Sequence, residues 1–212
     1  MEQTPQHYKK SQCFYADMLE KVVLVCLFLW LLSRMWTSFE SASWIINGLY
    51  VIDQILVLVF CLLRRPATKI SLSLWDWTLA FGASFLPLLV KPATGSPLVP
   101  LPLAAVLMLV GVTLHLSAKL TLRRGFGVVA ANRGIVLSGP YRLVRHPMYA
   151  GYFMTQLAIL LAGPNTYNVC IVSMAWVLQV LRLHAEERFY SRDAAYAELC
   201  KRTRYRIIPY IY

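Results

Sequence analysis

Gly139-Pro140-Tyr141-Arg142-Leu143-Val144-Arg145-His146-Pro147-Met148-Tyr149-Ala150-Gly151-Tyr152 sets two arginines, a histidine and three tyrosines directly ahead of an uncharged apolar run, Phe153 to Gly163. A dense polar cluster at the edge of a bilayer is costly unless it holds something. Pro147 suits the first turn of a helix, where its missing N–H is not needed. That helix then opens just after Arg145-His146, with N–H groups and a dipole that favour an anion. Arg142 and Arg145 add charge of the same sign, so this end reads as a seat for a carboxylate or phosphate. The plainer alternative, that the arginines only mark a membrane edge, leaves His146 and Tyr149 in the same few residues unexplained.

Downstream, Gly163-Pro164-Asn165-Thr166 is a breaker-rich turn, and a second apolar run follows it. Two helices joined this way form an antiparallel hairpin. A span needs about 20 mostly apolar residues, because a helix rises about 1.5 Å per residue across a hydrocarbon core of about 30 Å. Six stretches qualify: roughly Met18–Trp36, Trp44–Leu63, Leu74–Val90, Leu98–Ala118, Pro147–Ala162, and one from Tyr167 past Leu183. The sequence thus predicts an all-α, multi-pass transmembrane bundle of about six spans with a cytoplasmic C-terminal helical segment. Residues 1–118 form the four N-terminal spans, and residues 119–212 the catalytic half.

Charge placement tests that map. With both termini on one side, 19 of the 21 Lys and Arg residues fall on that side, leaving Arg34 and Lys91 opposite. Cationic bias of this kind marks the cytoplasmic face. Composition agrees, at 58% hydrophobic and 15% charged with mean hydropathy +0.54. Soluble domains of this size rarely look like this. The net charge of +11, set against 12 tyrosines and 6 tryptophans, reads as topology signal and contact with anionic lipid headgroups rather than nucleic-acid binding. The first apolar run lies behind about twenty polar residues with no small-residue cleavage site after it, so it reads as an anchor rather than a signal peptide. Five cysteines form no CxxC pair and suggest packing, not a disulfide framework.

Two acids fall inside spans. Asp76 lies between Trp75 and Trp77 near a span end and reads as interfacial, whereas Asp53 is deeper and suits a bond to a neighbouring helix. Either is a functional candidate simply by lying in the membrane. Beyond the sixth span, Arg182 and Glu186 stand four apart and suit a pair within the helix. Glu186 or Glu187 can take such a pair, and the adjacent acid must then point elsewhere and can hold a cation. The closing Arg204-Tyr205-Arg206-Ile207-Ile208-Pro209-Tyr210 is too apolar to float free and is expected to fold back over the polar site or onto the interface.

Other chemistries are poorly supported. His7, His115, His146 and His184 show no helical metal-pair spacing, so no metal is expected. Arg123-Arg124-Gly125-Phe126-Gly127 lacks the remainder of a dinucleotide fingerprint and reads as turns. No GxSxG nucleophile motif occurs.

Residues 139–151, with Glu186-Glu187, Tyr196 and Tyr205-Arg206-Ile207-Ile208-Pro209, resemble the isoprenylcysteine carboxyl methyltransferase family of integral membrane enzymes, over roughly residues 120–210. The resemblance implies a methyltransferase using S-adenosylmethionine in a pocket facing the cytoplasm. Tyr141, Arg145, His146, Pro147, Tyr149 and Gly151 would line it, with Glu186 and Glu187 opposite, and Arg145, Glu187 and Arg206 would serve the reaction. The arginines suit the carboxylate of the cofactor, a glutamate its ammonium, and tyrosine faces its adenine or sulfonium. The implied acceptor is a lipophilic small molecule or prenylated substrate reached from the membrane lipids, such as the carboxylate of a prenylated cysteine. A phospholipid N-methyltransferase is an alternative within the same relations. The Arg-His-Pro element and the closing segment also look like those of membrane sterol reductases, which use NADPH, although those proteins are longer and carry a tryptophan-rich lead here.

Overall fold

A computed structural model describes residues 10–35, 43–63, 69–70, 74–93, 95–122, 131–132, 136, 138–191 and 194–212. The motif 123–127, Arg64-Arg65, Arg133 and His7 lie outside these residues. Among the described residues, seven α-helices follow in order: α1 (Lys10–Met35), α2 (Trp44–Leu63), α3 (Leu74–Phe85), α4 (Leu101–Leu122), α5 (Pro147–Ala162), α6 (Thr166–Tyr190) and α7 (Ala194–Arg202). A two-residue antiparallel pairing joins Lys69–Ile70 to Ala131–Asn132.

Among the described residues, three helices, α2, α4 and α6, are long and apolar enough to cross a membrane. Their outer faces carry exposed Ile52 and Val59 on α2, Val106 and Val110 on α4, and Met174 and Val177 on α6. Apolar side chains displayed in such numbers belong in lipid, not water. The predicted boundaries of the second and fifth spans coincide with α2 and α5. The predicted third span is instead broken, with α3 ending at Phe85 and a 3-10 turn, Leu86–Leu89, replacing its last part. Pro87 supplies no backbone donor and so cannot continue the α-helical ladder. The fourth starts at Leu101 because Pro100 precedes it, the Pro100 carbonyl accepting from the N–H groups of Leu103 and Ala104.

Helix α4 lies along α5, α3 along α6, and α2 against α4 and α5. The α4–α5 crossing is close because glycines meet there. A Cβ on Gly151 would stand 2.6 Å from the Gly111 carbonyl oxygen, and one on Gly111 would stand 2.9 Å from that of Gly151. Leu31, Ile46, Tyr50, Met108, Ile159 and Val172 form the main core away from the polar site. Buried side chains there satisfy backbone groups that the broken third span leaves open. The Tyr50 hydroxyl donates to the Pro87 carbonyl at 2.6 Å, the Ala93 N–H donates to Asn47 Oδ1 at 2.8 Å, and Asn168 both accepts from Lys91 N at 2.9 Å and donates to its carbonyl at 3.0 Å.

Lys119 corrects the charge map. Its place beyond the fourth span suggested a cytoplasmic loop cation, but α4 continues to Leu122 and Lys119 is fully buried. Its Nζ lies 3.0 Å from His115 Nδ1, one turn back, and His115 Nε2 contacts Asp53 Oδ1 on α2. Burial next to an imidazole and a carboxylate is what keeps this lysine inside.

Candidate active site

Residues 139–146 reach their place through backbone geometry. Gly139 has φ +60°, and the space where its Cβ would stand is filled by Thr121 Oγ1 at 2.7 Å, so the turn presses on the end of α4. A 3-10 turn over Gly139–Arg142 follows, and then α5 begins at Pro147 with His146 at its cap. The N–H groups of Arg145 and His146 donate to the carbonyls of Tyr205 and Arg206 at 2.9 and 2.8 Å. Thr203 Oγ1 donates to the Tyr141 carbonyl at 2.9 Å. The closing segment is therefore stitched along the Arg-His-Pro element, as its apolar composition suggested.

The two adjacent glutamates part ways as expected from helix geometry. Glu186 Oε1 accepts from Arg182 Nε at 3.2 Å and from the Tyr149 hydroxyl at 2.8 Å. Glu187 faces the other side and gathers three groups from two distant segments: Arg145 Nη1 and His146 Nε2 at 3.2 Å on Oε1, and Arg206 Nε at 2.9 Å on Oε2. Arg145 also donates to Cys200 Sγ on α7 at 3.0 Å. The buried Nε of Arg145 and the buried hydroxyl of Tyr141 have no partner within the protein. Burial, and then the charge of Glu186, pushes the Tyr141 phenol well above its ordinary range. Burial and the nearby Glu187 do the same for Tyr196. Both phenols stay protonated at neutral pH, so neither is a base.

Next to this cluster lies an open cleft of about 480 Å³ lined by Arg145, Arg204, Arg206, Tyr205, Tyr210 and Tyr212. Its volume falls within the roughly 300–1,000 Å³ of small-molecule sites. The guanidinium of Arg206 sits 5.2 Å from the centre of the Tyr212 ring, and the rings of Tyr205 and Tyr210 are 5.3 Å apart. The Tyr212 hydroxyl bonds His184 Nε2 at 3.0 Å, tying the segment to α6.

Of the residues singled out from sequence, Tyr141, Arg145, His146, Tyr149, Glu186, Glu187 and Arg206 come together. Pro147 is buried at the first turn of α5. Gly151 faces α4 at the helix crossing instead, where its missing side chain admits Gly111 and His115. Sequence reasoning did not single out Tyr152, Gln156 and Gln179. All three are buried or half-buried between helices and border a second pocket together with Asp53, Gln54 and Arg182. The signal was present: Tyr149, Tyr152 and Gln156 on α5, and Gln179, Arg182 and Glu186 on α6, repeat at steps of three and four, one face of each helix. In sequence, an uncharged run reads as merely apolar. Among the described residues, no three His, Cys, Asp or Glu side chains converge as a metal site does.

No curated protein matches the chain significantly. The family model described as "Isoprenylcysteine carboxyl methyltransferase (ICMT) family" matches residues 99–191. The match begins at α4, one helix earlier than the motifs alone indicated, and it stops before α7 and Arg206. Over this region, where α4 and α5 are locked at their glycines and the Arg-His-Pro element closes on the glutamate pair, the chain is similar to the ICMT family of methyltransferases.

Proposed function

We propose that the protein transfers a methyl group from S-adenosylmethionine to a lipophilic acceptor, at a site on the cytoplasmic face of a six-span bundle. The observation that carries this reading is Glu187 joined at once to Arg145, His146 and Arg206 beside an aromatic, cationic cleft.

The residues present suit the donor. It bears a carboxylate, an ammonium and a sulfonium on an adenosine. Arg145, with its buried Nε unpartnered, and Arg204 supply cations for the carboxylate. Tyr205, Tyr210 and Tyr212 supply ring faces for the adenine or the sulfonium. Glu187 is the acid in contact with the cleft arginines and suits the ammonium.

When bound, the donor supplies an electrophilic methyl carbon already activated by sulfonium. The protein's task is mainly to align, since an in-line displacement gains most from orientation. Arg145 and Arg206 hold Glu187 from two sides, which fixes the Arg-His-Pro turn relative to the closing segment. His146 stands at the start of α5 with its ring held by Glu187 and 5.7 Å from that of Tyr149. Pro147 and the buried Tyr149 seal the inner wall against water.

The test is direct. Purified protein in detergent is titrated calorimetrically with S-adenosylmethionine and its demethylated product, and membranes are incubated with methyl-labelled donor. Binding of both and label in the lipid extract are expected. Clear binding of NADPH without either would replace this reading with a reductase.

A further inference from the structure

The closing segment has an inner and an outer side. Ile207 is buried in one cluster with Tyr149, Ala150 and Leu183, which anchors the segment on the start of α5 and on α6. The chain then folds into a closed turn. The N–H groups of Ile207 and Ile208 donate to the Tyr212 carbonyl at 2.7 and 2.9 Å, and those of Ile211 and Tyr212 donate to the Ile208 carbonyl at 3.2 and 3.0 Å. Pro209 has no N–H to satisfy. A turn that pairs its own backbone groups enters a low-dielectric layer at little cost. Tyr210 takes φ +67°, a left-handed conformation that bulky residues rarely adopt, and backbone of this kind collects at functional turns.

The outer side is apolar and cationic. Tyr210 is 86% exposed, Ile211 79% and Ile208 48%. Leu143, 65% exposed, stands on the Arg-His-Pro turn that runs alongside, where the N–H groups of Arg145 and His146 bond the carbonyls of Tyr205 and Arg206. Arg142, Lys201 and Arg202 are exposed on the same two stretches. Apolar and aromatic groups beside Lys and Arg are the composition of an interfacial anchor on anionic lipid. A second copy of the chain would bring the same cations against these, which repel. The depth agrees. In the six-span bundle proposed above, α5 has 16 residues, about 24 Å of helix against a hydrocarbon core of about 30 Å. Its start then lies at the bilayer boundary, and the turn packed on that start lies among the headgroups. Arg204, Tyr210 and Ile211 also line the arginine-rich cleft. Whatever holds the outer side of the turn therefore fixes one wall of that cleft.

We propose that the turn 207–212, with Leu143, Arg142, Lys201 and Arg202, is a docking surface for anionic phospholipid headgroups of the protein's own membrane, and that docking tightens the cleft on the methyl donor. Ile208, Tyr210, Ile211 and Leu143 enter the interface, and the three cations meet the lipid charge. Docking itself is independent of the methyltransferase reading, whereas its effect on the donor rests on that reading.

The test places the full-length protein in nanodiscs of phosphatidylcholine alone, or of phosphatidylcholine with one quarter phosphatidylserine. Hydrogen exchange across residues 205–212 is followed without donor, and S-adenosylmethionine affinity is measured by calorimetry. In the anionic discs, exchange is expected to slow about tenfold and donor affinity to rise about tenfold, the scale of one or two cations meeting an anionic surface. Both gains are expected to shrink at high salt, which screens exposed charge. Lys201→Gln with Arg202→Gln is expected to remove both gains and leave the affinity in phosphatidylcholine unchanged. Leu143→Ser with Ile208→Ser is expected to speed exchange in both lipids. Equal exchange of the unmodified protein in the two discs overturns the docking surface, whether or not a variant folds. So does protection that survives both variant pairs, or that appears only in discs holding two copies. Protection with no change in donor affinity overturns the link to the cleft. Absence of donor binding in every disc, with protection intact, overturns the methyltransferase reading and leaves the docking surface standing.

Discussion

Glu187 is the residue on which three segments converge, and its neighbour shows why. Two consecutive helical residues point about 100° apart, so one acid cannot serve both neighbourhoods. Glu186 turns to Arg182 and Tyr149 and binds α6 to α5, while Glu187 turns to Arg145, His146 and Arg206. The sequence spacing made legible that one acid pairs within the helix and its neighbour does not, with Arg182 four residues before Glu186 as the example, but it left open which acid faces the site. It did not make legible the burial of Lys119, since a lysine after a long apolar run reads as a membrane edge. Its partner His115, one helical turn back, the distant Asp53 and the Tyr152 ring 4.9 Å from its ammonium explain it. Removing Glu187 leaves two arginines and a histidine without their shared anion. Glu187→Ala and Arg145→Ala are each expected to weaken S-adenosylmethionine binding about 10- to 100-fold, the roughly 1.5–3 kcal/mol of hydrogen bonds to charged groups. Titration calorimetry reads this directly. Glu198→Ala serves as control, since its pair with Arg202 is exposed within α7, and it is expected to leave the affinity unchanged.

At the scale of elements, α4 and α5 hold the site in position. The Arg-His-Pro turn leaves the start of α5, and its Gly139 bend presses on Thr121 at the end of α4, so any change in the α4–α5 spacing moves the turn. The start of α5 was readable because proline tolerates only the first turn, whereas the end of α3 was not, because Pro87 lay inside an otherwise continuous apolar run. The closeness of the crossing was also hidden, as a glycine in an apolar helix names no partner until both helices are placed. Gly151→Ala would set a methyl 2.6 Å from the Gly111 carbonyl and 2.8 Å from the His115 backbone nitrogen. Backbone cannot yield as a side-chain tip does. A loss of about 1–3 kcal/mol in stability is expected, as for other overpacked positions. It is readable as a lower midpoint in thermal unfolding in detergent. Gly82→Ala is expected to cost less, because its Cβ would meet only the Leu178 Cδ1 methyl, the end of a flexible side chain.

For the whole molecule, the question is which way the bundle faces. Arg145 lies against Glu187, and His146 bonds the Arg206 carbonyl, so the start of α5, the end of α6 and the closing segment share one end. The two cations that the charge map placed opposite do gather at the other end. Arg34 donates to the Leu89 carbonyl at 2.9 Å, and Lys91 lies 4.4 Å from the centre of the Tyr167 ring and bonds Asn168, beside the α5–α6 turn. With Lys119 set aside as buried, the remaining bias still supports the proposal that the site end faces the cytoplasm. Two of the six spans in that map are short. Helix α5, and α3 with its 3-10 end, have 16 residues each, about 24 Å of helix against a core of about 30 Å. Local thinning of the bilayer accommodates such a mismatch at modest cost. Parity gives the decisive test, because losing one short span would move the two termini to opposite sides. Reporter fusions at both termini are expected to read cytoplasmic, and a reporter inserted at Gly95, an exposed glycine beside the Lys91 end, to read on the far side. A lumenal or periplasmic C-terminus would put the arginine cleft where no S-adenosylmethionine is supplied, and the catalytic reading would fall with the topology.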